Sequence, residues 1–252
     1  MRFQGKSVLV TGATRGIGAA CARAFLAEGA RVAINGRTDT SVAVAMAEYE
    51  GNGNAVAAPG DVSTVEGCKA AVAAALAAFG GLDILVNNAG VFFRGTVEET
   101  DETAWDAVMN ANVKSVQFCT SAALPALRAA KGNIVNIASE SGLAGYPETT
   151  AYCASKGAVL SMTRAMAMEF APDIRVNALC PGVVETDMAR AGFAVDGDAE
   201  EGLRLQRESY PLKRIGTVEQ TAAATLFLAS DDAAFINGVS LPMEGGATVG
   251  NW

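Results

Sequence analysis

Two hydrophobic periods alternate along the chain. Short runs at 7–10, 31–35, 55–58, 83–87, 133–138, 175–179 and 238–241 are rich in β-branched residues and nearly continuous in apolar character. They predict strands buried on both faces. Between them, 17–28, 40–49, 65–79, 104–127, 151–170 and 218–230 carry apolar residues, mostly Ala, at helical spacing. Strand–helix alternation of this kind predicts a parallel sheet covered on both faces, with right-handed crossovers. Seven strands and their helices use nearly all of the 252 residues, so the expectation is one doubly wound α/β domain spanning 1–252. One stretch breaks the rhythm. From 187 to 212 the sequence holds three glycines, four acids between Asp196 and Glu201, and few apolar repeats; it predicts a long loop over the carboxyl ends of the strands, a lid on whatever binds there.

Composition removes several chemistries. The chain has no histidine, so a Ser-His-Asp triad, a Cys-His pair and an HExxH zinc helix are impossible. Acid–base work falls to Asp, Glu, Lys, Tyr or Cys. Nineteen Lys and Arg against 27 Asp and Glu leave a formal charge of −8, which repels phosphate polymers; nucleic acid is not an expected partner. Cys21, Cys68, Cys119, Cys153 and Cys180 are odd in number, widely spaced and without a CxxC. Neither a disulfide framework nor a metal site is expected, and reduced thiols point to the cytoplasm. No apolar run approaches the roughly 20 residues of a membrane span, and the N-terminus enters the first strand without a leader-like segment.

The first strand runs into Thr11-Gly12-Ala13-Thr14-Arg15-Gly16-Ile17-Gly18, which opens the first helix. Glycines there permit a tight turn and close backbone approach, and the helix N-terminus offers free N–H groups to a pyrophosphate. Further along stand Asp61-Val62 after the third strand, Asn87-Asn88-Ala89-Gly90 at the end of the fourth, and Pro181-Gly182 followed by Val184 and Thr186 after the sixth. Singly, each is an ordinary helix cap, turn or loop. Together and in this order they resemble the short-chain dehydrogenase/reductase family, from about Lys6 to Thr248. That resemblance implies a Rossmann fold binding a nicotinamide dinucleotide. Asp61 and Val62 would meet the adenine, and Asn88, Ala89, Gly90, Pro181, Gly182, Val184 and Thr186 would line the rest of the cofactor site.

An NAD-selective site places an acid at the end of the second strand to hold the ribose hydroxyls. Gly36 stands there instead, followed by Arg37. A guanidinium can grip a 2′-phosphate that a carboxylate would repel, and Arg15 in the glycine loop can approach it from the other side. NADP(H) is therefore the expected cofactor and NAD the lesser alternative, although both arginines could be plain surface residues.

Tyr152 and Lys156 lie four residues apart on a predicted helix and share its face. A neighbouring ammonium stabilises phenolate, so the expectation is a phenol drawn down from its reference value near 10. Such a group exchanges a proton with a carbonyl or alcohol oxygen. By resemblance, Ser139 would hold that oxygen, with Ser141 as the rival position, and Asn112 would hold a proton-relay water; Tyr152 and Lys156 would also touch the cofactor. With these four present, the expected activity is hydride transfer between NADP(H) and a small ketone or secondary alcohol. Glu140, Leu143 and Tyr146 are candidate substrate neighbours, with Val91–Arg94, Val183 and the lid. The alternatives are a 3-oxoacyl carrier-protein reductase, whose acidic carrier the charge of −8 disfavours, and a regulatory protein that binds NADP without turnover. Family members of this style suggest a homotetramer, and Met162, Ala165 and Met166 suit either close packing between copies or an internal contact.

Overall fold

The computed structural model describes residues 1–250. Seven strands, β1 (Ser7–Val10), β2 (Arg31–Gly36), β3 (Ala55–Pro59), β4 (Ile84–Asn87), β5 (Asn133–Ile137), β6 (Arg175–Pro181) and β7 (Ser240–Met243), form one parallel sheet in the order β3-β2-β1-β4-β5-β6-β7. Each falls within two residues of the run that predicted it. Apolar residues alternate between the two faces of the sheet: Val8 and Val10 pack on one side with Val32 and Ile34, Leu9 on the other with Ala33 and Leu85. Helices α1 (Gly16–Ala27) and α9 (Val218–Ala229) cover the first face, and α3 (Val65–Phe79), α5 (Ser115–Ala130) and α6 (Thr150–Phe170) the second. Helix α2 (Asp39–Met46) follows β2 and is closed at its start by a Thr38–Ser41 capping box. Met162 and Met166 pack into the second core, which makes theirs an internal contact, while Ala165 is exposed.

Strand order reverses between β1 and β4, opening a crevice at their carboxyl ends, where open α/β sheets bind ligands. A buried polar chain stiffens the floor beside it. Asn87 donates to Asn136 Oδ1 (2.9 Å), and Asn136 donates to Thr163 Oγ1 (2.9 Å), whose hydroxyl returns to the Val159 carbonyl. Both Nδ2 groups thereby find acceptors, which an apolar floor cannot offer, while Asn87 Oδ1 has no partner among the described residues.

Two elements depart from the sequence reading. The helix expected over 104–127 is α4 (Glu102–Met109), one π-helical turn (Asn110–Lys114) and α5. The wide turn puts Asn112 inward, and nothing in the apolar spacing announces it. The stretch 187–212, expected as a loop, holds two helices, α7 (Asp187–Phe193) and α8 (Ala199–Ser209). Helix α8 is mostly charged and polar, with few apolar residues to mark it; Asp198 caps it, and Arg204 pairs with Glu201 (2.6 Å) and Glu208 (2.5 Å) along it. Among the described residues no helix is long and apolar enough to cross a membrane.

Candidate active site

The crevice is a cleft of about 520 Å3 that runs from the glycine loop to the start of α6. At its head, Thr11 Oγ1 accepts the N–H groups of Asn88 (2.9 Å) and Ala89 (3.0 Å), and Asn88 Nδ2 donates to the carbonyls of Thr11 (2.8 Å) and Gly12 (3.1 Å). The ends of β1 and β4 are thus stitched together. Gly18 lies beneath this stitch and outside the cleft wall: a methyl there would overlap the Gly12 carbonyl and come within 2.5 Å of Asn88 Nδ2. Asn35 supports the loop from the other side, accepting the Gly12 N–H (3.1 Å) and donating to the Ala58 and Gly60 carbonyls (2.9 and 3.1 Å).

Gly12, Thr14, Arg15, Gly16 and Ile17 face the cleft. Helix α1 begins without a side-chain cap and without an acid in its first turn. Its free N–H groups and positive dipole end suit a pyrophosphate. Gly36 and Arg37 line the same end. Gly36 is tightly packed: a methyl there would come 2.5 Å from Thr14 Cγ2 and 2.8 Å from Val42 Cγ2, which would have to shift. Among the described residues neither Arg15 nor Arg37 belongs to an ion pair, whereas Arg2, Arg23, Arg94, Arg190, Arg204 and Arg207 do. Asp61 and Val62 stand in the wall; Asp61 Oδ1 is engaged with the Ser63 N–H (3.0 Å) and hydroxyl (2.7 Å). These features fit a nicotinamide dinucleotide.

At the far end Ser139, Tyr152 and Lys156 meet in the wall with Gly90, Pro181, Gly182 and Val184, while Asn88 and Ala89 sit at the head beside Thr11, and Thr186 packs by Gly16. Ser139 ends the segment after β5, and its Oγ accepts the Ser141 N–H (3.1 Å). Lys156, 5% exposed, donates from Nζ to the Ile137 carbonyl (3.0 Å) and lies 5.6 Å from the centre of the Tyr152 ring. The phenol is not drawn down as the sequence suggested. Burial pushes Tyr152 up to about 12; a hydrogen bond with Ser139 pulls the other way, and the Glu140 carboxylate adds to the rise. Burial also holds the Lys156 ammonium down to about 8. Burial disfavours the charged form of both groups, so it raises the phenol and lowers the ammonium.

Asn112 is buried behind the wall. Its Oδ1 accepts the Val91 N–H (2.8 Å), and Nδ2 donates to the Val91 carbonyl and to Ser155 Oγ (3.0 Å each). The side chain is committed to fixing the segment that leaves Gly90. Of the expected substrate neighbours, Glu140 is in the wall, while Leu143 and Tyr146 are outside it. Leu143 is 40% exposed, and the Tyr146 hydroxyl approaches Glu140 from behind. Glu140 is 6% exposed; burial raises its carboxyl to about 7, against the pull of a bond from Tyr210, and the Glu244 carboxylate adds to the rise. Arg94 turns outward to Glu148 (2.7 Å).

Sequence reasoning missed Thr11 and Asn35, whose signal is their place at strand ends; within the expected stretch 91–94, the Phe92 ring stands edge-on to Tyr152 (4.9 Å) and against Phe193 of α7 (5.5 Å). Sequence reasoning also missed Tyr210, which no local pattern marks. Among the described residues no cluster of His, Cys, Asp and Glu is placed to hold a metal ion.

Known proteins resemble this chain over nearly its whole length. A family model described as Enoyl-(Acyl carrier protein) reductase matches residues 12–248. Meso-2,3-butanediol dehydrogenase of Serratia marcescens is 41% identical over 249 residues, covering 98% of this chain and 96% of that protein. 2-(S)-hydroxypropyl-CoM dehydrogenase 3 of Xanthobacter autotrophicus is 40% identical over 253 residues, covering 98% of each. The structure of a short-chain dehydrogenase/reductase, Glucose/ribitol dehydrogenase, from Brucella melitensis is 30% identical with a TM-score of 0.91, over 99% of each chain. The chain belongs to the short-chain dehydrogenase/reductase family. It is an oxidoreductase of that family, with NAD(P) as its cofactor class and a small molecule as its substrate.

Replacing Gly18 by Ala tests the stitched loop. Calorimetric titration with NADP is expected to show affinity at least about tenfold weaker, since a shift of 1.4 kcal/mol suffices for that factor. Unchanged affinity contradicts the packing account.

Proposed function

We propose that the protein transfers a hydride between NADP(H) and a small ketone or secondary alcohol, with Tyr152 as the proton-transfer residue. The observation that carries the reading is the meeting of Ser139, Tyr152 and a buried Lys156 in the cleft that the glycine loop heads. The bound nicotinamide supplies or accepts the hydride and, when oxidised, brings a positive charge to the site. Ser139 holds the substrate oxygen, and the Tyr152 hydroxyl gives it a proton in reduction or takes one in oxidation. With its pKa raised, the phenol carries its proton in the free protein; releasing that proton to a substrate oxygen, or taking one up as phenolate in oxidation, calls on cationic surroundings. Lys156 is that surrounding charge, steadied by the Ile137 carbonyl.

Phe92, Phe193, Met188 and Val183 give the substrate end an apolar side that suits a short alkyl arm. The relatives named for butanediol and hydroxypropyl substrates fit such an arm. A carrier-bound acyl chain has less support. The chain is acidic overall, and of the basic residues near the end of α5, Arg128 lies 5.8 Å over the Phe170 ring, while Ala171 and Asp173 stand at the end of α6. In this reading 1–252 is one catalytic domain, α7 and α8 are its lid, and the assembly is a homotetramer, to which the exposed Met168 and Phe235 would contribute contacts.

Preference for NADP rests on the two unpaired arginines and on glycine, not an acid, at position 36. Side-by-side kinetics should give a kcat/KM for NADPH at least about tenfold above that for NADH. Arg37→Ala should lower the NADPH value by about 10- to 100-fold, the worth of one bond to a charged group, and leave NADH nearly unchanged. Equal efficiency with the two cofactors defeats the selectivity. For the chemistry, Tyr152→Phe should lower kcat on a panel of ketones by about 10²- to 10⁴-fold with NADPH binding retained. Turnover surviving that change removes Tyr152 from its role, and NADP binding without turnover by the parent protein favours the regulatory alternative.

A further inference from the structure

Glu140 directly follows Ser139, yet its carboxylate does not reach solvent. Oε1 accepts the Tyr210 hydroxyl (2.5 Å), and the same hydroxyl accepts the Val183 N–H (2.7 Å). Tyr210 is 4% exposed and sits where α8 ends. Three distant segments therefore converge on one oxygen: the end of β5, the loop after β6 and the end of the lid. Gly182 lies at the crossing; a methyl there would come 2.9 Å from the Tyr210 hydroxyl and 3.1 Å from Glu140 Oε2. The chain has left out a side chain to let the three meet.

The hydrogen bonds run in one direction. The Val183 N–H donates to the phenol oxygen, and the phenol O–H donates to the carboxylate. A hydroxyl serves both and a phenyl ring serves neither. Burying a carboxyl is unfavourable unless it is bonded, and a local apolar contact would have closed the loop without it. What the carboxyl adds is a fixed position for the Val183 backbone.

We propose that Glu140 and Tyr210 are positioning residues, a clamp that holds the loop after β6 against the nicotinamide half of the cleft. The role rests on the oxidoreductase reading above, and the clamp itself touches no reacting atom. Gly182, Val183 and Val184 line the end of the cleft that holds Ser139 and Tyr152. The adenosine half lies beyond the glycine loop, by Gly36 and Arg37. Releasing the clamp consequently loosens the reacting half and spares the other.

The test has two readouts. The first is amide hydrogen exchange at Val183, which needs no catalysis. Tyr210→Phe and Glu140→Leu should each speed it at least tenfold. Glu140→Gln, whose amide oxygen still accepts from Tyr210, should keep it within threefold of the parent protein. The second is kinetic: Tyr210→Phe should lower kcat at least tenfold while affinity for ADP, which fills only the adenosine half, stays within twofold. If Tyr210→Phe does not fold, Gly182→Ala serves in its place. Val183 exchange unchanged in the variants overturns the clamp, as does a parallel loss of ADP affinity and kcat, which marks a general structural role. A parent protein inert toward every ketone and alcohol defeats the oxidoreductase reading instead, and Val183 exchange still decides whether the clamp exists.

Discussion

A lysine is buried in this protein without a carboxylate to answer it. Among the described residues Lys156 enters no ion pair, and its ammonium rests on a single backbone carbonyl, that of Ile137. An ion so placed is unfavourable by several kcal/mol in most interiors, and its lowered pKa reports that strain. Much of the surrounding construction keeps the charge in position. The sheet delivers Ile137 at the end of β5, α6 delivers Lys156 and Tyr152 on one face, and the Asn87–Asn136–Thr163 chain stiffens the floor beneath. On the proposed reading, this uncompensated charge is what makes the tyrosine useful.

The same economy governs the two halves of the cleft. The nucleotide half is built from backbone: a glycine turn, an uncapped helix start, and the stitch of Thr11 and Asn88 that fixes the turn to β4. It tolerates few side chains because the ligand must approach the main chain. The reacting half is built from side chains carried on α6, β5 and the lid, and its precision depends on contacts between segments far apart in sequence. Phe92 against Phe193 is one such contact, and the Glu140–Tyr210–Val183 series is another.

That division explains what the sequence made legible. Strands and helices followed from period, because buried parallel strands are apolar throughout and their helices are amphipathic. The glycine loop and the Tyr152–Lys156 pair followed from local spacing. Helix α8 did not, because it is mostly charged and polar, with Leu203 its one fully buried large apolar side chain, so few apolar residues were there to mark it. The π turn at Asn112 did not either, being a change of winding with no compositional mark. Leu143 and Tyr146, expected to form an apolar substrate wall, lie outside the cleft lining, while Glu140, which opens the short 310 turn before them, is in it. The direction of the Tyr152 shift was misjudged because sequence displays the neighbouring cation and hides the burial that opposes it.

The pH dependence of kcat for oxidation of a secondary alcohol, compared between the parent protein and Lys156→Met, tests the central claim most directly. Loss of the cation disfavours phenolate, so the account predicts that the rise in rate moves to higher pH in the variant while nucleotide still binds. A rise at the same pH in both proteins contradicts it.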